Sequence, residues 1–123
     1  MKHHAINYVE FGATDMEKTK AFYTQAFGWR FVDYGPDYAA FKDSGLEGGF
    51  TTEAKPGASP LVILYSERLE ESRDTVAALG GKIVKDIFAF PGGRRFHFAD
   101  PSGNELAAWS DKEGGDASSQ IGR

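Results

Sequence analysis

Two side chains in this sequence stand out as candidates to move a proton. Glu10 interrupts an otherwise apolar run, Ala-Ile-Asn-Tyr-Val-Glu-Phe at positions 5–11. A carboxylate among apolar neighbours is costly unless it is paired. Held away from water, its pKa rises and it can act as a base; at a solvated strand end, or beside an arginine, its role is structural. His97 lies in a second aromatic run, Phe96-His97-Phe98, two residues after Arg95. It is either the acid–base partner of such a site or a core imidazole bonded to a backbone carbonyl. Glu10 and His97 are the candidate catalytic residues, and the sequence leaves open which face His97 takes. His3 and His4 precede the first strand and are expected to be exposed. The chain contains no cysteine, which removes disulfides, thiolate metal sites and thiol nucleophiles together.

The elements that must position these residues follow from period and punctuation. Positions 5–11 are β-branched and aromatic, the pattern of a strand. Asp15 is a suitable N-cap for a helix over 16–27, with Met16, Ala21, Phe22 and Phe27 expected on its buried face, and Gly28 a suitable C′ residue. Strands are expected at 29–34, 38–42 and 48–53. A linker follows at 54–59, where Pro56 and Gly57 fall. The order then repeats: a strand at 61–66, a helix at 69–79 closed by Gly80-Gly81, and strands at 82–88, 94–99 and 105–109.

The repeat extends to single residues. Phe41-Lys42-Asp43-Ser44-Gly45 matches Phe98-Ala99-Asp100-Pro101-Ser102-Gly103 with one inserted residue, and Phe27-Gly28-Trp29 echoes Leu79-Gly80-Gly81. Self-similarity of this kind defines architecture before any local feature does. The expected fold is α+β: two tandem βαβββ modules, about 5–53 and 60–110, forming a curved, cup-like mixed sheet with the helices outside. Both lie in a single domain over 1–110. Residues 111–123 are polar, Gly/Ser-rich and aperiodic, so a disordered tail is expected there.

These features resemble the glyoxalase / bleomycin-resistance / extradiol-dioxygenase (vicinal oxygen chelate) superfamily. The resemblance is carried by Asp15 through Ala21-Phe22-Tyr23 to Phe27-Gly28-Trp29, and by Phe96-His97-Phe98 followed by Asp100-Pro101-Ser102-Gly103-Asn104. It covers roughly residues 5–110, and within the superfamily the chain looks closest to small glyoxalase-like proteins of unassigned substrate. Much of this signature is turn chemistry, which argues for fold rather than for activity.

The resemblance implies a divalent metal bound by four side chains, one pair per module. Carried over by position, those sites fall on Tyr8, Gly49, Leu61 and Ala107, none of which is a good ligand. A shift of two residues along each strand would bring in Glu10 and Glu105 instead. No metal ligand is therefore assigned and no cofactor is expected, a divalent metal being the alternative. By strand parity Tyr8 and Glu10 share a face, as do Leu61 and Tyr65, and Glu105 and Trp109. These residues, with Trp29, Tyr38 and Arg95, are the candidate ligand-binding set: mainly apolar and aromatic, with a few polar groups to orient a small molecule.

Two functions follow. One is a glyoxalase-like binding protein that holds a small aromatic or planar molecule in the cup. The other is a metal-dependent lyase, isomerase or dioxygenase-type enzyme of the same superfamily, so whether the chain is an enzyme stays open. Aromatic residues make up 14% of the chain, enough to line a site as well as a core. The net charge of −4, with both signs well mixed, gives no basic stripe for nucleic acid. No apolar run approaches a membrane span. The expected setting is the cytoplasm and the expected partners are an unknown small molecule and a second copy of the chain in a homodimer.

Overall fold

The computed structural model describes residues 1–58 and 60–112. The tail expected over 111–123 thus lies, apart from its first two residues, outside the described residues. The chain divides into two compact units, Asn7–Leu61 and Met1–Ile6 together with the chain from Val62. Each carries one βαβββ repeat, so the α+β architecture expected from the sequence is the one observed.

The first repeat runs β1 (Ile6–Gly12), α1 (Met16–Phe27), β2 (Arg30–Asp33), β3 (Tyr38–Lys42) and β4 (Gly48–Thr51). Its strands lie in the order β2-β3-β4-β1. The first two pairings are antiparallel, while β4 runs parallel to β1. Asp15 caps α1 by accepting the Lys18 N–H at 3.0 Å, and Gly28 ends it in the left-handed region at φ 76°.

The buried stripe of α1 differs from the expected one. It passes through Met16, Thr19, Lys20 and Tyr23, the i, i+3, i+4, i+7 spacing of one helix face. Ala21 sits off that stripe, and Phe22 and Phe27 are 59% and 64% exposed. The aliphatic stem of Lys20 serves as the apolar element at its position, its ammonium reaching Asp33 at 2.8 Å and Glu17 at 3.0 Å. Beneath α1, Phe41 and Phe50 are buried, with Phe11, Tyr23, Trp29 and Phe31 packed around them.

The second repeat runs β5 (Leu61–Tyr65), α2 (Leu69–Ala78), β6 (Lys82–Phe90), β7 (Gly93–Ala99) and β8 (Glu105–Ser110). Its order, β5-β8-β7-β6, repeats the first, again with one parallel pair, β5 with β8. The antiparallel β6–β7 ladder shifts register twice, between Ile83 and Lys85 and between Lys85 and Phe88. Helix α2 seats Leu69 and Val76 on Leu64, Phe96, Phe98, Leu106 and Ala108.

The repeated Asp-containing turns are built differently. Asp100 closes its own turn by accepting the N–H groups of Ser102 and Asn104, each at 2.9 Å. Asp43 instead takes a left-handed backbone at φ 71° and pairs with Arg30 at 2.5 Å.

Of the two N-terminal histidines, expected to be exposed, His4 is exposed and His3 is partly buried, and both are hydrogen-bonded. The His4 N–H donates to the Tyr65 carbonyl at 2.6 Å, and the Tyr65 N–H donates to the Ala5 carbonyl at 3.0 Å. His3 Nδ1 accepts the Glu67 N–H at 2.8 Å, and His4 Nε2 meets Ser72 Oγ at 3.0 Å. The two imidazoles stack at 3.7 Å. A short strap thus ties residues 3–5 to the end of β5 and the start of α2. Its polar atoms join those of Ser66, which is fully buried and bonded to Ser72 Oγ at 2.7 Å.

Candidate functional site

In each unit one sheet face packs on the helix, and the other carries the residues singled out from the sequence, Trp29 excepted. In the first unit Val9, Phe11, Ala39, Phe41 and Phe50 turn toward α1. Alternation then places Tyr8 and Glu10 of β1, Tyr38 and Ala40 of β3, and Gly49 of β4 on the opposite face. The register sets Glu10 beside Gly49 and Gly49 beside Ala40. Because Gly49 has no side chain, nothing separates Tyr38 from β1. The phenol of Tyr38 lies across the bare backbone, and a β-carbon on Gly49 would stand 2.5 Å from its hydroxyl.

That passage lets three polar groups join. The Tyr38 hydroxyl donates to Glu10 Oε2 at 2.9 Å, and the Tyr8 and Tyr38 hydroxyls lie 2.6 Å apart. Burial raises the pKa of both phenols, more strongly at Tyr38, where the negative charge of Glu10 adds to it. Both are therefore protonated at neutral pH. Glu10 is a hydrogen-bonded member of this chain rather than an isolated carboxylate.

Trp29 is placed elsewhere. It stacks on Tyr23 at 4.8 Å and meets Phe41 at 4.7 Å, within the aromatic cluster beneath α1. It precedes β2 instead of lying in it, so strand alternation does not fix its direction.

In the second unit the helix side takes Leu64, Phe96, Phe98, Leu106 and Ala108. The pairings His97 with Ala107, Arg95 with Trp109 and Tyr65 with Trp109 set these residues together on the other face. Leu61 lies two residues before Ile63 and four before Tyr65, on the same side of β5. Register therefore decides the face of His97, which the sequence left open. Its Nδ1 lies 3.1 Å from Glu105 Oε2, so its partner is a carboxylate and not a backbone carbonyl. Its Nε2 is buried with no hydrogen-bond partner among the described residues. Burial holds the His97 pKa below the ordinary imidazole value, outweighing the bond to Glu105. The result is a neutral imidazole fixed by a carboxylate, with its second nitrogen enclosed.

Around His97 the face is layered with rings. Phe88 stacks on the imidazole at 5.8 Å. The Arg95 guanidinium lies 5.6 Å from the Phe88 ring and 5.7 Å from the Phe90 ring, and the Lys85 ammonium is 4.4 Å from Phe88. Phe90 is 6.3 Å from Trp109, which is 5.3 Å from Tyr65. The Tyr65 hydroxyl is committed to Asp111 at 2.6 Å, and its pKa is pushed up to about 12 by burial and then by that bond. Phe88 and Phe90 escaped the sequence reading because the register shifts of β6 hide their parity. The one available signal was their proximity in the chain to the Gly92-Gly93 turn.

The residues present do not suit the divalent ion that the resemblance implies. Gly49, Leu61 and Ala107 have no side-chain donor, and the space beside Gly49 is filled by Tyr38. The Tyr8 hydroxyl is bonded to Tyr38. Among the described residues no three His, Cys, Asp or Glu side chains converge. Also among the described residues, no helix is long and apolar enough to cross a membrane.

Solved structures share this fold. The Mn(II)-bound glyoxalase from Novosphingobium aromaticivorans is 25% identical, with a TM-score of 0.65 over 89% of this chain and 40% of that one. This chain thus spans two fifths of that glyoxalase. An NAD-dependent benzaldehyde dehydrogenase from Legionella pneumophila is 20% identical, with a TM-score of 0.68 over 86% of this chain and 99% of that chain. Methylmalonyl-CoA epimerase from Mycobacterium tuberculosis is 11% identical, with a TM-score of 0.68 over 88% of each chain. At 20% and 11% identity the likeness is one of fold alone. No curated protein matches the chain significantly. The family pattern described as Glyoxalase/Bleomycin resistance protein/Dioxygenase superfamily matches residues 5–108. With the doubled βαβββ order and the turn at Asp100, that match makes the chain a member of the glyoxalase / bleomycin resistance / dioxygenase superfamily.

Proposed function

We propose that this protein binds a small planar molecule on the helix-free face of its second unit, against Phe88, Phe90 and Trp109, with no divalent ion taking part. The observation that carries the reading is the layering of that face. The Arg95 guanidinium is interleaved with Phe88 and Phe90, and Phe90 continues to Trp109. Rings and guanidinium planes spaced in this way offer stacking surface to a flat ligand. The absence of ligating side chains at Gly49, Leu61 and Ala107 supports binding over metal-assisted chemistry.

The two tryptophans make the test internal. In an amide and indole NMR spectrum, titration with quinoline or indole should move the Trp109 indole N–H and leave that of Trp29 in place. The shifts should persist after dialysis against a chelator. Stationary Trp109 at the solubility limit of both probes would overturn the reading, as would binding seen only after Mn²⁺, Ni²⁺ or Zn²⁺ is added.

A further inference from the structure

We propose that His97 Nε2 is a preset hydrogen-bond acceptor on the ring-lined face of the second unit, selecting planar ligands that carry an N–H or O–H donor at their edge. All of the residues concerned lie within that one unit. A carboxylate offers acceptors only, and a neutral imidazole has one N–H and one bare nitrogen. Glu105 Oε2 lies 3.1 Å from His97 Nδ1, so the imidazole proton sits on Nδ1 and the lone pair on Nε2. Burial keeps the ring neutral at pH 7, and the cationic Arg95 and Lys85 act in the same direction.

Two observations set that lone pair toward a ligand. Nε2 is buried, and among the described residues no donor meets it. A polar atom buried in that state costs free energy, which a donor on a bound molecule recovers. The second observation is direction. Ala107 lies opposite His97 on β8, with Glu105 two residues to one side and Trp109 two residues to the other. The two ring nitrogens point apart, so Nδ1 on Glu105 turns Nε2 away from that end of β8. Phe88 stacks on the imidazole at 5.8 Å and follows a register shift in β6, so it is the ring that moves when a flat molecule enters. A ligand edge with lone pairs alone would meet another lone pair there. An amide N–H, a ring N–H or a hydroxyl would be accepted. Glu105 acts as a positioning residue, fixing which nitrogen holds the proton.

The proposal rests on the reading that this face takes a small planar molecule, and two flat bicycles separate the possibilities. Indole has a ring N–H donor; quinoline has a ring nitrogen acceptor and no donor. The wild-type protein should bind indole more tightly than quinoline by roughly 3- to 10-fold, the worth of one hydrogen bond. His97→Phe keeps a ring against Phe88 and should erase the preference. Glu105→Gln should shrink it, because an amide can donate to Nδ1 as well as accept from it and no longer fixes the tautomer. A merely structural role for Glu105 would weaken both probes alike. Binding of both probes without preference, or a preference unchanged in His97→Phe, overturns this proposal and leaves the planar-ligand reading standing. No binding of either probe overturns both. Ring-nitrogen NMR of the wild-type protein reads the tautomer with no substitution: near neutral pH His97 should be in its Nδ1–H form, and its Nε2 resonance should move when indole binds. A protonated Nε2, or an Nε2 resonance that bound indole leaves in place, overturns the proposal whatever else binds.

Discussion

The hydroxyl of Tyr38 lies 2.5 Å from the point at which a β-carbon on Gly49 would stand. The two residues are therefore coupled. Gly49→Ala is expected to push Tyr38 off Glu10 and Tyr8 and to cost about 1–2 kcal/mol, two hydrogen bonds lost from a partly buried place. In a Tyr38→Ala background the same change should be neutral or mildly stabilising, since alanine is entropically preferred to glycine in a strand. Urea unfolding of the double-mutant cycle checks the change of sign.

His97 makes stability depend on pH in the mildly acidic range. Its folded-state pKa lies below the ordinary 6.5, chiefly through burial. The unfolded chain then takes up a proton before the folded chain does. Stability is full above about pH 6.5 and falls as pH drops through that value, levelling off once the folded imidazole also protonates. His4 is lowered in the same direction and contributes to the same window. Denaturant midpoints at pH 5 to 8 should show the slope, and His97→Gln should flatten it without abolishing it. A slope identical in wild type and His97→Gln would remove His97 from the account.

Glu70 and Arg94 join the first turn of α2 to β7 through two bonds, 2.5 and 3.2 Å long. Arg94 holds the Glu70 carboxyl below its ordinary value of 4.5. The contribution is present above about pH 4.5 and is lost as pH falls through the lowered pKa. Because Glu70 is 42% exposed, Glu70→Gln should cost no more than about 1 kcal/mol near neutral pH. The cost should shrink in high salt and vanish in acid, which paired melts at low and high ionic strength would reveal.

Among the described residues Phe96 is the largest fully buried side chain, packed with Phe98 and the α2 contacts. Phe96→Ala should cost about 3–5 kcal/mol, the range for a phenylalanine removed from a packed interior. Phe22→Ala, at a position 59% exposed, should change the unfolding free energy by less than about 0.5 kcal/mol. Chemical denaturation of the two variants side by side tests whether exposure or residue type governs the result.

Chain order and strand parity were legible in the residues because each is a local property. Asp15, Gly28 and the turn at Asp100 punctuate the chain by their own backbone chemistry. Alternation alone places Tyr8 with Glu10 and Glu105 with Trp109. What parity cannot give is register between strands, and the face of His97 depends on its being opposite Ala107. The reach of Tyr38 to Glu10 crosses an intervening strand, so it depends on Gly49 being at that one rung. Trp29 misled because it stands outside a strand, where alternation has no force. Phe22 and Phe27 misled because the stem of Lys20 fills the apolar stripe that a phenylalanine was expected to fill.

The strap formed by His3, His4 and Ala5 bears on how the chain reaches its native state. The unit that begins at Val62 includes the chain's first six residues, and the bond from Glu67 to His3 spans 64 positions. That unit cannot be completed by its own contiguous sequence. Its last contacts wait on a loop closure around the whole of the other repeat, whose entropic cost falls on the folding rate more than on the final stability. A fragment starting at Val62 should therefore fold with an unfinished end at β5, and adding a peptide of the first six residues in trans should restore it.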